Sequence, residues 1–418
     1  MPFVESEVAR LRKVVVQRPG PAHAAMRPAH LDEGTEDYLL FDDLVHVPDA
    51  QVEHDQLVRV LQTAAEVRYV DDLLLEALGE ESARAWVIEQ VGRIEGLAPS
   101  TRASLLSMEP PELVLALTTG RVVGREVMNP LPNLLFARDL AAVVGSLVVV
   151  GNASKRARRR ESILTWAVVQ NHAWFEGARI SHQSTQLRDS GGSFPLTLEG
   201  GDVLVVSGSL AVIGASERTT WSMVATLGHE LIREGFTRIL VAEMPKQRSS
   251  MHLDTVFTLV DWDTVVVYGP ILEPGGPEEC TVVRLRKSGD ELVVDPLRGN
   301  LLDALALEGY PMHAVRCGDG DPLFERREQW TDGANFVALA PGVVVGYARN
   351  VHTGRALAEV GFRVVDSETY LRELAEDFGG DFDALCKSGR RYAVGITGSE
   401  LVRGRGGPRC LTFPVERG

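Results

Sequence analysis

A histidine and an aspartate stand two residues apart in Met251-His252-Leu253-Asp254-Thr255, just ahead of an apolar run that reaches Val260. On a strand, that spacing places both side chains on one face, so an imidazole able to move protons would lie beside a carboxylate. Cys410 closes the run Arg403-Gly404-Arg405-Gly406-Gly407-Pro408-Arg409-Cys410, whose glycines permit tight backbone geometry. The arginines of that run are expected to favour the thiolate over the thiol. Glu199 precedes two glycines in Leu198-Glu199-Gly200-Gly201-Asp202, where the backbone could approach a ligand closely. Each of these features also has an ordinary reading: a structural histidine, a buried inert cysteine, a glycine turn. Cys280, Cys317 and Cys386 lack any comparable setting, and Cys386 falls in an apparent packing helix, Phe382-Asp383-Ala384-Leu385-Cys386.

Taken together, the set suits one kind of substrate. A guanidinium is planar, cationic and a poor electrophile, so attack at its carbon needs carboxylates for its N–H groups and a soft, strong nucleophile. It also needs a proton donor for the departing nitrogen, and histidine is the usual choice. The chain supplies a thiol, an imidazole and several acids.

Those residues must be held by repeated elements. Five segments join an acid or amide to a short β-branched run: residues 41–47, 139–144, 202–206, 254–260 and 335–339. The spacing predicts five strand-bearing modules. Amphipathic helices are expected between them, with Leu57, Leu61 and Ala64 on one face and another helix over residues 221–235. The interval from Asp43 to Asp139 is too long for one module. Residues 72–120 therefore read as an all-helical insertion, with Val87, Val91 and Ile94 at helical spacing and Pro110-Pro111-Glu112 as a helix start. The whole chain, residues 1–418, reads as a single catalytic domain that contains this insertion.

Composition narrows the class. Apolar residues make up 44% of 418 and charged residues 24%, a balance that builds a globular core. The net charge of -15 argues against a general nucleic-acid binder and suits a cationic small molecule. One basic run, Lys155-Arg156-Ala157-Arg158-Arg159-Arg160, interrupts the acidic chain without aromatic residues among it. Four cysteines without a CxxC pair predict a reducing, cytoplasmic setting. No apolar run approaches the ~18 residues of a membrane span, so no membrane partner is expected.

In order along the chain, Asn133-Leu134-Leu135-Phe136-Ala137-Arg138-Asp139, the Glu199 and His252 segments, Arg326-Arg327-Glu328-Gln329-Trp330-Thr331-Asp332-Gly333 and the Cys410 segment resemble the arginine deiminases of the guanidine-modifying superfamily. The resemblance implies an α/β fold: a five-module pseudo-symmetric propeller, the pentein fold, with a helical insertion in the first module. It implies hydrolysis of L-arginine to L-citrulline and ammonia with no metal or organic cofactor. Cys410 would be the nucleophile and His252 the general acid and base, while Asp139, Asp254 and Glu199 hold the guanidinium. Asn133, Arg158, Arg218 and Arg405 would bind the amino-acid end of the substrate. The sequence departs from the family at Ala348, where an acid is frequent, and Arg409 is a variable feature. An amidinotransferase of the same superfamily and a non-catalytic binding propeller are the competing readings. A homo-oligomer is left open.

Overall fold

The computed structural model describes every residue except 36, 182–195 and 290. The strands are short runs of Val, Leu, Ile and Ala, many buried on both faces, as in Leu147–Val150 and Thr264–Val267. Such runs fit sheets covered on both sides rather than sheets with one face in water.

Among the described residues, five sheets repeat one plan, in which a central strand runs antiparallel to one neighbour and parallel to another reached through helix. Leu147–Val150 pairs antiparallel with Ala141–Val144 and parallel with Arg179–Ile180. Leu210–Ala215 does so with Val203–Ser207 and Arg238–Glu243, and Thr264–Val267 with Phe257–Leu259 and His313–Arg316. Val343–Tyr347 does so with Val337–Ala340 and Tyr392–Ile396. Leu11–Val16 closes the set, antiparallel to the C-terminal strand Phe413–Arg417 and parallel to Glu66–Tyr69. In the first four sheets the antiparallel partners are joined by tight turns, whereas Leu11–Val16 and Phe413–Arg417 come from opposite ends of the chain; the parallel partners need a crossover because their ends lie far apart.

Four of the five predicted strand segments contain a strand. Residues 41–47 do not, and this expectation is corrected. That stretch is irregular and runs into the helix Val47–Leu61, which starts with proline at its second position. Asp42 and Asp43 are partly exposed, and Arg248 and Arg403 pair with them. The strand of that module is Leu11–Val16 instead. The predicted helix face holds at Leu57 and Leu61, while Ala64 lies beyond the helix end. The helix expected over 221–235 is Trp221–Arg233.

Between Val70 and Thr119 the chain forms four consecutive helices, Val70–Ala77, Glu81–Ile94, Pro99–Leu106 and Pro110–Thr119. The last begins on the expected Pro110 and stops at Gly120, whose φ of 74° is the left-handed conformation that ends a helix at no steric cost. Leu73, Leu74, Val87, Val91, Leu113 and Leu117 from these helices join one buried cluster with the strands at 141–150 and 203–213. No helix among the described residues is long and apolar enough to cross a membrane.

Candidate active site

The polar residues singled out in the sequence occupy equivalent places in the fold. Each precedes the antiparallel outer strand of a sheet: Asp139 before Ala141–Val144, Glu199 before Val203–Ser207, His252 and Asp254 before Phe257–Leu259, and Cys410 before Phe413–Arg417. Asp332 and Asn335 hold the same place before Val337–Ala340. His252 and Asp254 are not on a strand as expected. His252 is extended, but Asp254 belongs to a single helical turn, Leu253–Thr255. The carboxylate of Asp202 sets that turn by accepting from the Leu253 N–H at 2.9 Å.

One cleft, about 360 Å³ with its opening to solvent included, is lined by Asn133, Asp139, Arg158, Arg218, His252, Arg405 and Cys410, with Leu40, Phe136, Met251, Thr255 and Gly404. Glu199 and Asp254 stand directly behind this lining. His252 Nε2 is 2.8 Å from Glu199 Oε2, and Cys410 Sγ is 3.6 Å from Asp254 Oδ2. The paired glycines act through close approach. A side chain on Gly201 would meet His252 Nδ1 at 2.9 Å, and one on Gly200 would meet the Arg138 carbonyl at 2.1 Å. Glycines around the cysteine do the same, since a Cβ on Gly406 would strike Phe136.

Asp139, Asp254 and Glu199 each have one oxygen held by a protein cation. Asp139 Oδ2 lies 2.6 Å from Arg158 Nη1, and Asp254 Oδ2 lies 2.6 Å from Arg409 Nη1. Glu199 Oε2 takes His252, with Arg158 at 3.4 Å and Arg218 at 3.6 Å. The other oxygens, Asp139 Oδ1, Glu199 Oε1 and Asp254 Oδ1, are buried and have no hydrogen-bond partner. An unpartnered buried carboxylate oxygen is costly, and a cationic N–H donor is the partner that would relieve it.

The electrostatics follow from this crowding. Burial alone would push His252 down, but Asp139 and the Glu199 hydrogen bond prevail and raise it to about 9, so the ring is a cation at neutral pH. Burial would push Glu199 up, yet Arg218, Arg158 and His252 hold it well below the usual carboxylate range. Cys410 corrects an expectation. Burial, then Asp254, Asp139 and Asp332, push its thiol well above the ordinary range, and Arg409 opposes them only weakly. The reason is geometric: the Arg409 guanidinium is turned to Asp254 and to Glu7, 3.2 Å away, rather than to the sulfur.

The basic run is not a surface patch throughout. Arg158 and Arg160 are buried, Arg158 against Asp139 and Glu161 and Arg160 against Glu95, whereas Arg159 is exposed. Arg158, not Arg159, reaches the cleft. The Asn133 side chain donates to the Leu39 carbonyl at 2.7 Å, and its backbone oxygen accepts from Arg158 and from the Phe136 N–H. Asp139, Glu199 and His252 present ligand atoms within 4.8 Å of one another, a spacing a metal ion would fit. The Arg158 guanidinium, however, lies against the same two carboxylates.

Residues 37–109 and 100–417 match the sequence family described as arginine deiminase. An arginine deiminase of Listeria innocua is 33% identical, over 99% of this chain and 98% of its own. The chain belongs to the arginine deiminase family. Solved structures similar in fold are an amidinotransferase from Microseira wollei and the N-terminal domain of ArgZ carrying a covalent reaction intermediate. The first has a TM-score of 0.54 at 14% identity, covering 100% of this chain and 97% of that one. The second has a TM-score of 0.51 at 13% identity, covering 97% and 98%. The fold is thus α/β and of the pentein type that these proteins share. At such low identity the likeness concerns fold alone, and it is the family match that separates this member from the amidinotransferase reading.

Sequence reasoning missed Arg409 as the partner of Asp254, and with it Glu7, Glu161 and Arg138. Only Arg409 carried a signal, as a charged residue beside the cysteine. Asn335, which accepts from the Cys410 N–H at 3.1 Å and donates to the Asp254 carbonyl at 2.9 Å, marked a strand start without a role.

Proposed function

We propose that this arginine deiminase family member hydrolyses L-arginine to L-citrulline and ammonia. The observation that carries the reading is the trio of buried carboxylate oxygens without a hydrogen-bond partner on Asp139, which lines the cleft with Cys410, on Asp254, which lies beside its sulfur, and on Glu199, which stands behind His252. They are acceptors for the N–H groups of a guanidinium. Burial and the surrounding acids hold Cys410 as a thiol before substrate binds; the arriving cation offsets the field of the carboxylates and lets the thiol proton pass to solvent. The thiolate then attacks the guanidinium carbon. His252, already protonated, gives its proton to the departing nitrogen, and ammonia leaves an S-alkylthiouronium on Cys410. The neutral imidazole next takes a proton from water, whose oxygen adds to the same carbon. Collapse expels the thiolate and yields citrulline.

Arg218 and Arg405, with Asn133 and Arg158, would bind the amino-acid end of the substrate. Arg218 Nε and Arg405 Nε and Nη1 are buried donors without a hydrogen-bond partner, available to a carboxylate. The repeated sheet plan supports a five-module, pseudo-symmetric propeller. In it, residues 72–120 are a helical insertion in the first module and residues 1–418 a single catalytic domain. Four free cysteines support a reducing, cytoplasmic place of work.

Incubation with L-arginine should give citrulline and ammonia in equal amounts, unchanged by EDTA and by added acceptor amines. Loss of activity in EDTA that a divalent ion restores would refute the metal-free route. Transfer of the amidino group to an amine would make the chain an amidinotransferase. Agmatine lacks the α-carboxylate and should be turned over roughly 10²-fold less efficiently, since it leaves buried guanidinium groups unpaired.

A further inference from the structure

We infer that Trp330 is a positioning residue that sets the preference for a substrate α-carboxylate by holding the Arg405 guanidinium in place. This rests on the reading of Arg405 as a carboxylate receptor.

Arg405 is anchored at its backbone and nearly free at its tip. Its φ is 62°, outside the range a long side chain prefers, so the surroundings must fix it. They do: its N–H donates to the Val402 carbonyl at 3.0 Å, and the next carbonyl, Gly406, accepts from the Tyr347 hydroxyl at 2.8 Å. The guanidinium is buried, yet Nε and Nη1 have no hydrogen-bond partner. Asp332 acts on it through space without a hydrogen bond, and the Trp330 indole covers its face, with the guanidinium carbon 3.6 Å from the ring centroid. That contact fixes the plane of the guanidinium and leaves its in-plane N–H donors directed elsewhere, which is the arrangement bidentate binding of a carboxylate needs.

Trp330 does not line the cleft, and it is 44% exposed. A half-exposed indole contributes little as core, so its remaining task is the stack on Arg405. It sits at the end of the helix Pro322–Trp330, and the preceding Gln329 side chain donates to the Thr255 carbonyl beside the site. Without the ring, the buried guanidinium gains freedom toward water, and binding a carboxylate must then freeze it again.

The test is steady-state kinetics with L-arginine and agmatine. Trp330→Ala and Trp330→Leu should raise KM for L-arginine roughly 5- to 30-fold, the range of a desolvated cation–π contact, with kcat within about threefold of wild type. Agmatine turnover should not change, and Trp330→Phe, which keeps an aromatic face, should restore most of the affinity. In a Cys410→Ser background, L-arginine should alter tryptophan emission, and Trp330→Phe should abolish that change. Equal losses on both substrates, or an unchanged KM for L-arginine in the Leu variant, would overturn the inference. Arg405→Gln separates the two levels: if it leaves the preference for L-arginine over agmatine intact, the carboxylate reading of Arg405 fails. If it removes the preference while the Trp330 variants keep it, only the role of Trp330 fails.

Discussion

Cys410 and His252 divide the chemistry in a way their surroundings impose. The thiol is protonated before substrate binds because burial and three acids outweigh the one arginine beside it, whereas His252 is cationic because Asp139 and Glu199 flank it. Acid-quenched enzyme should therefore carry added mass on the Cys410 peptide during turnover, and Cys410→Ser should bind L-arginine without forming an adduct. An adduct on Cys280 or Cys317 would defeat this assignment. The same surroundings fix a pH limit. His252 has its pKa raised to about 9, so the general acid is lost as pH climbs through that value, and kcat/KM should fall on the alkaline side near pH 9. The stability it contributes has the same sign: complete below the ordinary histidine pKa of about 6.5, and lost as pH rises from there toward 9. Replacing Glu199 by Gln removes the hydrogen-bonding carboxylate and should move the alkaline limit downward, which a pH–rate profile reads directly.

At the level of elements, the site depends on turns held by side chains from distant helices. Glu53, buried in the helix Val47–Leu61, accepts from three successive backbone N–H groups: Ser399 at 2.7 Å, Glu400 at 3.0 Å and Leu401 at 3.0 Å. These three begin the turn that ends at Arg405. A carboxylate bonded by three amides is a strong local clamp, and its removal leaves buried donors unpaired. Glu53→Ala should lower stability by roughly 2–4 kcal/mol in denaturant unfolding. It should also raise KM for L-arginine more than it lowers kcat, because the loop it releases carries Arg405 rather than the nucleophile. An unchanged KM would mean that the turn is fixed by its own backbone.

At the scale of the molecule, one buried ionic network joins the two ends of the chain beneath the site. Glu7 lies 3.2 Å from Arg409 and 3.7 Å from Arg138, and Arg417 adds its charge while donating to the Ala9 and Ala338 carbonyls. Burial would push Glu7 up, but Arg409, Arg138 and Arg417 hold it down to about 2. Breaking such a network strands buried cations, so Glu7→Ala should cost about 3–5 kcal/mol in unfolding free energy. Since Arg409 also grips Asp254, turnover should fall along with stability. Full activity in a destabilised Glu7→Ala protein would show that Arg409 orients Asp254 without help. In the wild-type protein the Glu7 contribution is complete above the ordinary glutamate pKa of about 4.5 and is lost as pH falls toward 2.

The reacting types and their order along the chain were legible without coordinates. Cysteine, histidine and acids stand beside apolar runs, and local alternation with glycine punctuation marks such places whatever the rest of the chain does. Helices with strong periodicity, such as Trp221–Arg233 and Pro110–Thr119, were equally plain. What needed the tertiary structure was everything set by groups remote in sequence. The strand expected at 41–47 proved to be Leu11–Val16, because pairing with the C-terminal strand, not local propensity, decides which segment enters a sheet. The protonation of Cys410 went against its neighbouring arginines for a similar reason. Burial by the folded chain disfavours the thiolate first, and since charge acts through space, Asp254 and Asp139, 156 and 271 residues away, weigh more than Arg409 at the preceding position.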